Sequence, residues 1–220
     1  MGCCFLLVDC NSCVMLDTGL AGEMLQIRRV MSRLGLRAQS LKAILLTHGH
    51  LDHAGNLSRL KAWTGARIFA HPAEQAHVDG SYPYQGINRW CGRLEAAGRA
   101  LFRYRPVSID EHISDGQDLP FWGGLRVMHL PGHTVGHCGY YSERNNLLFS
   151  GDMFASYFFN VHKPPAILNS ASERLAESAE RIRRLRPRLL VPCHYDSLDG
   201  ELHRRRFARL YGFEDWFADR

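Results

Sequence analysis

A nine-residue stretch, Thr47–Gly55, constrains this chain more than any other part of its sequence. It reads THGHLDHAG and holds three histidines and an aspartate within six positions, directly after the apolar run Leu41–Leu46. Imidazole and carboxylate groups at this density are costly in a folded interior unless a positive charge neutralises and orients them. Zinc and similar divalent metals accept both groups as ligands. The stretch therefore predicts a metal site.

The spacing within this stretch separates its donors into two pairs. His48 and His50 are two residues apart, so their side chains point the same way in an extended segment. Asp52 and His53 follow where a helix would begin, and they can face a second point nearby. On this stretch alone, the alternative to a metal site is a histidine-rich polar loop that binds no metal. The rest of the sequence is needed to distinguish the two.

Size and composition are typical of a soluble globular protein. The chain has 220 residues, of which 45% are hydrophobic and 22% charged, and this length can bury a sizeable core. No apolar run approaches the roughly 20 residues of a membrane span, and the opening residues lack the features of a secretory signal. Seven cysteines without disulfide-framework spacing favour a reducing compartment. We expect one domain over residues 1–220, a cytoplasmic location and no membrane partner.

Strand and helix patterns alternate along the first third of the chain. Two paired strands are predicted at Phe5–Val8 and Cys13–Leu16, and the single Cys-x-x-Cys sequence that joins them is interpreted as a hairpin turn. Such alternation predicts an α/β layered fold. The other predicted elements here are a helix at Glu23–Leu34, a strand at Leu41–Leu46, a helix at Asn56–Trp63 and a strand at Arg67–Ala70.

The segment from about residue 73 to 113 interrupts this alternation. It carries the aromatic sequence Ser81–Gly86 and a predicted helix, Asn88–Leu101, that contains Trp90. Aromatic residues in a long connection either cover a substrate as a lid or fill a local core, and both interpretations stay open.

Short strands and turns dominate the remainder, followed by arginine-rich helices. The formal charge is +5, from 27 Lys and Arg against 22 Asp and Glu, with arginines dense between Arg174 and Arg209. We interpret them as solvated helix faces, with attraction of anionic substrates or nucleic acid as the alternative. The predicted elements are strands at Leu125–Leu130, Cys138–Ser142, Leu147–Phe149 and Leu189–Val191, and helices at Ser170–Leu185 and Gly200–Phe217.

Seven candidate ligands share one kind of position, just beyond the end of a predicted strand. Loops at one edge of a sheet converge, so residues distant in sequence can meet there. Five histidines and two aspartates are too many donors for one tetrahedral ion and suit two ions that share a bridging carboxylate. We interpret the remaining histidines as structural or surface residues. The candidates are His48, His50, Asp52, His53, His133, Asp152 and His194.

With these residues, the sequence resembles the metallo-β-lactamase superfamily over essentially its whole length. The family signature HxHxDH appears intact at His48–His53, and the Asp-Thr-Gly, Pro-Gly-His and Gly-Asp elements match at Asp17, His133 and Asp152. The resemblance implies an α/β fold, a four-layer αββα sandwich with a dinuclear metal site at one edge. The final family element usually reads Pro-Gly-His, whereas Cys193 precedes His194 here. We favour a structural role for this cysteine over metal binding.

The resemblance also implies a ligand set for two divalent metal ions, with Zn²⁺ as the first choice and iron or manganese as alternatives. Asp17 would support the loop that carries the first four ligands, Thr47–His53 (the ligand loop), by hydrogen bonding. The first metal would be held by His48, His50 and His133, the second by Asp52, His53 and His194, and Asp152 would bridge them.

The chemistry that follows is metal-assisted hydrolysis. Two ions ~3.5–4 Å apart lower the pKa of a trapped water towards ~7, so metal-bound hydroxide is the nucleophile, and Asp52 would orient it as the catalytic residue. Asp152 resembles the glyoxalase II and lactonase branches. Only 26 residues follow His194, too few for the helical glutathione-binding domain of glyoxalase II. We expect a small-molecule substrate, namely an ester, thioester or lactone.

Three other functions are alternatives to hydrolysis of a small ester, thioester or lactone. Persulfide dioxygenases resemble this pattern but use a single iron and perform oxidation. Nucleases similar to tRNase Z share the HxHxDH signature, although no extended RNA-binding arm is visible and we expect no nucleic-acid partner. A non-catalytic binding module would be expected to lose ligands, and all seven are present. The sequence does not predict an oligomeric state.

Overall fold

Two units make up the chain, Met1–Ile113 and Ser114–Arg220, in a computed structural model that describes residues 4–157 and 160–217. Each unit has its own sheet, its own helices and its own cluster of buried apolar side chains. The boundary at Ile113 is also where the predicted interruption ends. One domain over residues 1–220 stays a prediction.

The first unit contains a five-stranded sheet in the order β1-β2-β3-β4-β5. A hairpin pairs β1 with β2 antiparallel, and the other neighbours are parallel. Its strands are β1 Phe5–Asp9, β2 Ser12–Leu16, β3 Leu41–Leu45, β4 Arg67–Ala70 and β5 Glu111–His112. Its helices are α1 Met24–Arg33, α2 Leu51–Ala54, α3 Leu57–Thr64, α4 Gln75–Asp79 and α5 Arg89–Leu101.

Strand β3 has the apolar sequence expected of a central parallel strand. It lies between β2 and β4, and all its residues except Lys42 are buried. Parallel strands covered on both faces lose the polar alternation of a half-exposed strand. The strand ends at Leu45, one residue before the predicted end, and the HxHxDH stretch begins at His48.

The second unit contains a six-stranded sheet in which β11 runs parallel to β9 and the other pairs are antiparallel. Its main core includes Leu148, Phe154, Ile182 and Phe207. Its strands are β6 Asp118–Leu119, β7 Leu125–His129, β8 Cys138–Ser142, β9 Leu147–Tyr157, β10 Asn160–His162 and β11 Leu189–Tyr195. Its helices are α6 Leu175–Leu185 and α7 Gly200–Tyr211.

Strands β9 and β11 are longer than the sequence predicts. Their predicted ends are Phe149 and Val191, whereas the strands continue to Tyr157 and Tyr195. The expectation that Asp152 and His194 follow strand ends is therefore wrong. The ladder between β9 and β11 shifts register twice between Val191 and His194. Such irregularities redirect side chains out of a regular ladder. Both ligand candidates therefore lie at or beside a distorted part of the sheet.

The helices of the second unit are shorter than predicted. Helix α6 begins at Leu175 after a 3₁₀ turn, and α7 ends at Tyr211 because Gly212 adopts a left-handed conformation. Several of their arginines form ion pairs within the unit, among them Arg181 with Asp115. None of the described helices combines the length and apolar character needed to cross a membrane.

We predict a pH-dependent contribution of His203 to stability. Burial lowers the pKa of this histidine, whose ring bridges Ser156 Oγ at 2.9 Å and the carbonyl of Ser197 at 2.7 Å. The unfolded chain therefore binds the proton first as the pH falls below ~6.5. This contribution to the free energy of unfolding is complete above that pH and declines below it. Urea unfolding at pH 7.5 and pH 5.5 measures the difference.

His203→Gln is expected to show a smaller loss of stability between these two pH values than the unchanged protein. His112→Gln, at an exposed position, controls for the loss of a histidine as such. An equal pH dependence in His203→Gln and the unchanged protein would contradict the assignment.

Candidate metal centre

The HxHxDH residues occupy the loop after β3 and the first turn of α2. His48, His50 and His53 are buried, whereas the Asp52 side chain is 36% exposed. The ring centroids of His48 and His50 lie 4.8 Å apart, and those of His48 and His53 lie 4.0 Å apart. Asp52 Oδ2 is 3.6 Å from His53 Nε2. The first unit therefore brings these four predicted residues together.

A buried carboxylate, Asp17, organises this loop. It accepts hydrogen bonds from the backbone N–H and the hydroxyl of Thr47, both at 2.7 Å, and from Nδ1 of His53 at 2.9 Å. Asp17 follows β2 with a φ of 55°, a conformation that is uncommon outside glycine and often found at functional sites. These contacts are those expected of a residue that supports a ligand loop.

The hydrogen bonds around Asp17 determine which ring nitrogen carries the proton in two histidines. A carboxylate only accepts, so Nδ1 of His53 is the protonated nitrogen. The hydroxyl of Thr47 donates to Asp17 and therefore accepts from Nδ1 of His48 at 3.0 Å. An imidazole protonated at Nδ1 carries its metal-binding lone pair on Nε2. One carboxylate thus prepares both rings for metal binding.

The second unit brings the other three predicted ligands together around one oxygen. Oδ2 of Asp152 lies 3.6 Å from Nε2 of His133 and 3.2 Å from Nε2 of His194. Ligand atoms at ~2.0–2.1 Å from a tetrahedral zinc are roughly 3.3–3.4 Å from each other. The two distances are therefore close to ligand-to-ligand distances, with Asp152 shared by both histidines.

Two polar residues hold this second set of donors in place. Asn169 accepts from Nδ1 of His133 at 2.8 Å, and this again puts the lone pair on Nε2. His137 donates from Nδ1 to the carbonyl of Leu130 at 3.0 Å and accepts the backbone N–H of Asp152 at Nε2, also at 3.0 Å. The structural interpretation of His137 is confirmed by these contacts. No sequence signal indicated Asn169.

Three residues of the segment 73–113 also bind the ligand loop. Glu74 accepts the backbone N–H of Gly49 at 2.7 Å, and Glu95 accepts that of Leu51 at 3.2 Å. Arg99 donates to the carbonyl of Gly49 at 3.3 Å. Burial raises the pKa of Glu95 in spite of the nearby Arg99. The segment therefore anchors the loop, and the interpretations of its aromatic residues as a substrate lid or as a local core both stay open.

Both units supply donors of the kind that divalent metals take. Each contributes at least one candidate histidine with a hydrogen-bonded Nδ1, together with a carboxylate close to an Nε2 atom. Imidazole nitrogen combined with carboxylate oxygen suits zinc, iron and manganese. The residues present therefore fit a metal.

We predict that Asp17→Asn weakens metal binding. The amide keeps one accepting oxygen, but an NH₂ group that cannot accept takes the place of the other. It therefore cannot satisfy all three donors that bind the two oxygens of Asp17, and it holds the rings of His48 and His53 less well. Loss of such a supporting partner typically costs about 10–100-fold in metal affinity. Competition for zinc with a chromophoric chelator measures the change.

The control is Asp9→Asn, which makes the same chemical change at an exposed site on β1. Circular dichroism of both variants checks that they are folded. Equal zinc affinity in folded Asp17→Asn and the unchanged protein would contradict the role of Asp17.

Comparison with known proteins identifies the family. The family model described as metallo-beta-lactamase superfamily matches residues 1–194. A Bacillus subtilis (strain 168) protein named Probable metallo-hydrolase YflN is 29% identical over 91% of this chain and 81% of its own length. The hydroxyacylglutathione hydrolase of Bdellovibrio bacteriovorus is 27% identical over 96% of this chain and 68% of its own length.

A solved structure extends the comparison to the fold. The crystal structure of TTHA1623 in a di-iron-bound form matches with a TM-score of 0.70 and 25% identity, over 92% of both chains. The prediction of a metallo-β-lactamase-like α/β fold is confirmed. The chain belongs to the metallo-beta-lactamase superfamily and is a metallohydrolase.

Proposed function

We propose that the chain hydrolyses a small ester, thioester or lactone at a dinuclear metal centre. The observation that carries the proposal is Asp152, whose Oδ2 lies near Nε2 of both His133 and His194. A carboxylate in that position suits a bridging ligand between two ions. Similarity to a hydroxyacylglutathione hydrolase, which is named for cleaving a thioester, supports this class of substrate.

The proposed ligand sets draw on both units. His48, His50 and His133 would hold one ion, Asp52, His53 and His194 the other, and Asp152 both. When bound, two divalent ions supply Lewis-acid activation of a water molecule and of the substrate carbonyl. Zinc is the first choice, and iron and manganese are alternatives. The di-iron form of TTHA1623 supports a centre with two metals.

The chain's own residues perform the remaining tasks. Asp17, Thr47 and Asn169 keep the proton on Nδ1 of His48, His53 and His133, so these three rings present Nε2. His137 holds the backbone of Asp152. Asp52 has a partly exposed carboxylate that can accept a proton from the attacking water and orient it.

Two cysteines of the first unit do not offer a competing nucleophile. Burial raises the pKa of the Cys13 and Cys91 thiols to about 11, so both are protonated at neutral pH. Cys10, Cys13 and Cys91 are free thiols. Free thiols are typical of a reducing compartment and support the proposed cytoplasmic location.

The first test is a hydrolase panel on metal-loaded protein. We expect about two metal ions per chain and cleavage of a thioester, ester or lactone that stops with a chelator and returns with added metal. The panel contains a lactone, a glutathione thioester, a β-lactam and a phosphodiester. One iron per chain with oxygen consumption would favour a dioxygenase, and preferred phosphodiester cleavage a nuclease. Metal-free protein indifferent to chelation would contradict every metal-dependent function.

The second test is Asp152→Ala. Loss of the shared oxygen is expected to release at least one metal ion and to lower kcat/KM by about 100-fold or more, because both ions and the activated water depend on it. Metal analysis and thioester kinetics measure the two effects. Asp118→Ala removes an exposed carboxylate of the same unit and is the matched control. Two retained metals and a full rate would contradict the bridging assignment.

A further inference from the structure

A cavity of about 390 Å³ lies in the first unit beside α5. Helix α5 contributes arginines and one glutamate to its wall, and the connection that precedes α5 contributes aromatic rings. None of these side chains belongs to the proposed ligand set. The polar and aromatic residues of the wall are Arg89, Arg93, Arg99, Glu95, Tyr82, Tyr84 and His77.

The charge of the cavity wall favours an anion. Three arginines face one glutamate, and Glu95 already accepts hydrogen bonds from Tyr84 and from the backbone of Leu51. Arg99 is also committed, because it donates to the carbonyl of His77 at 2.6 Å. The exposed Arg89 and Arg93 form no ion pair with any residue in the described ranges 4–157 and 160–217. They are one helical turn apart, so both can approach the same ligand.

The cavity adjoins the ligand loop through His77. The His77 ring meets the His50 ring at a centroid distance of 5.3 Å and stacks on Tyr82 at 3.8 Å. Nδ1 of His77 lies 3.3 Å from the hydroxyl of Tyr84. The His77 ring is therefore the side chain that lies between this cavity and His50.

The wall of the cavity is built in advance of any ligand. The Tyr84 ring lies against α5 only because residue 92 is glycine, since a Cβ there would come within 2.6 Å of Tyr84 Cδ2. The hydroxyl of Tyr84 donates to Glu95 at 2.9 Å, and burial raises the pKa of Tyr84 so that it keeps this proton. A preorganised wall lowers the entropic cost of binding.

We infer that this cavity binds the carboxylate of an anionic substrate, with Arg89 and Arg93 as the residues that select it. Guanidinium groups recognise carboxylates through charge-assisted, often bidentate hydrogen bonds. The tyrosine rings provide apolar contact for the part of the substrate that joins its carboxylate to its reacting group. The substrate class narrows to small thioesters or esters that carry a carboxylate, a refinement that rests on the proposed function for its reaction.

Binding is tested with two non-hydrolysable probes on the metal-loaded protein. S-acetonyl-3-mercaptopropanoate carries the carboxylate, and its primary amide is the neutral match. Calorimetry is expected to give about 10-fold tighter binding of the acid, as hydrogen bonds to a charged group imply. In the double variant Arg89→Gln, Arg93→Gln the acid-to-amide ratio should fall towards one. Arg105→Gln, an exposed arginine of the same segment outside the cavity, should keep the ratio.

Hydrolysis of 3-(acetylthio)propanoate and its amide separates this inference from the proposed reaction. A preference for the acid of about 10-fold in kcat/KM, expressed mainly in KM and lost in the double variant, supports both. If the acid binds in an arginine-dependent way but is not hydrolysed, the proposed reaction is overturned and the cavity assignment stands. Equal binding of both probes, or a preference that survives in the double variant, would overturn the cavity assignment even if hydrolysis is observed.

Discussion

The hydrogen bonding of the Asp17 carboxylate is the interaction on which the first set of proposed metal donors depends. It is buried, it accepts two hydrogen bonds from Thr47, and it fixes the tautomer of His53 directly and that of His48 through the Thr47 hydroxyl. A buried carboxylate is costly unless its acceptors are all used. The loop that satisfies Asp17 is the loop that presents the imidazoles. Stability of the loop and readiness for metal therefore have the same physical origin.

The second unit reaches the same result by other means. Asn169 takes the place of the carboxylate as the partner of a proposed ligand histidine, His133, and His137 holds the backbone at Asp152. A neutral amide serves His133 because only an acceptor for Nδ1–H is required. Both units therefore control histidine tautomers with neighbouring polar groups, and each does so with residues of its own.

Much of the fold could be predicted from the sequence, as could the residues that each unit brings together in the candidate site. The apolar run that ends at Leu46 and the donor pattern after it are local features, and local periodicity reports them directly. The extension of β9 and β11 past Asp152 and His194 was missed because it depends on pairing between strands distant in sequence. Asn169 was missed for the same reason, since nothing beside it in the chain marks it as the partner of His133.

The anchoring of the ligand loop by Glu74, Glu95 and Arg99 has a consequence for how such a site can change. All three contacts go to backbone groups of Gly49 and Leu51, so none depends on the donor side chains. Gly49 has to stay glycine, because a Cβ there would lie 2.5 Å from the Cβ of His77. The path of the loop and the identity of its donors are therefore separable, and metal preference can be altered by exchanging donors on an unchanged scaffold.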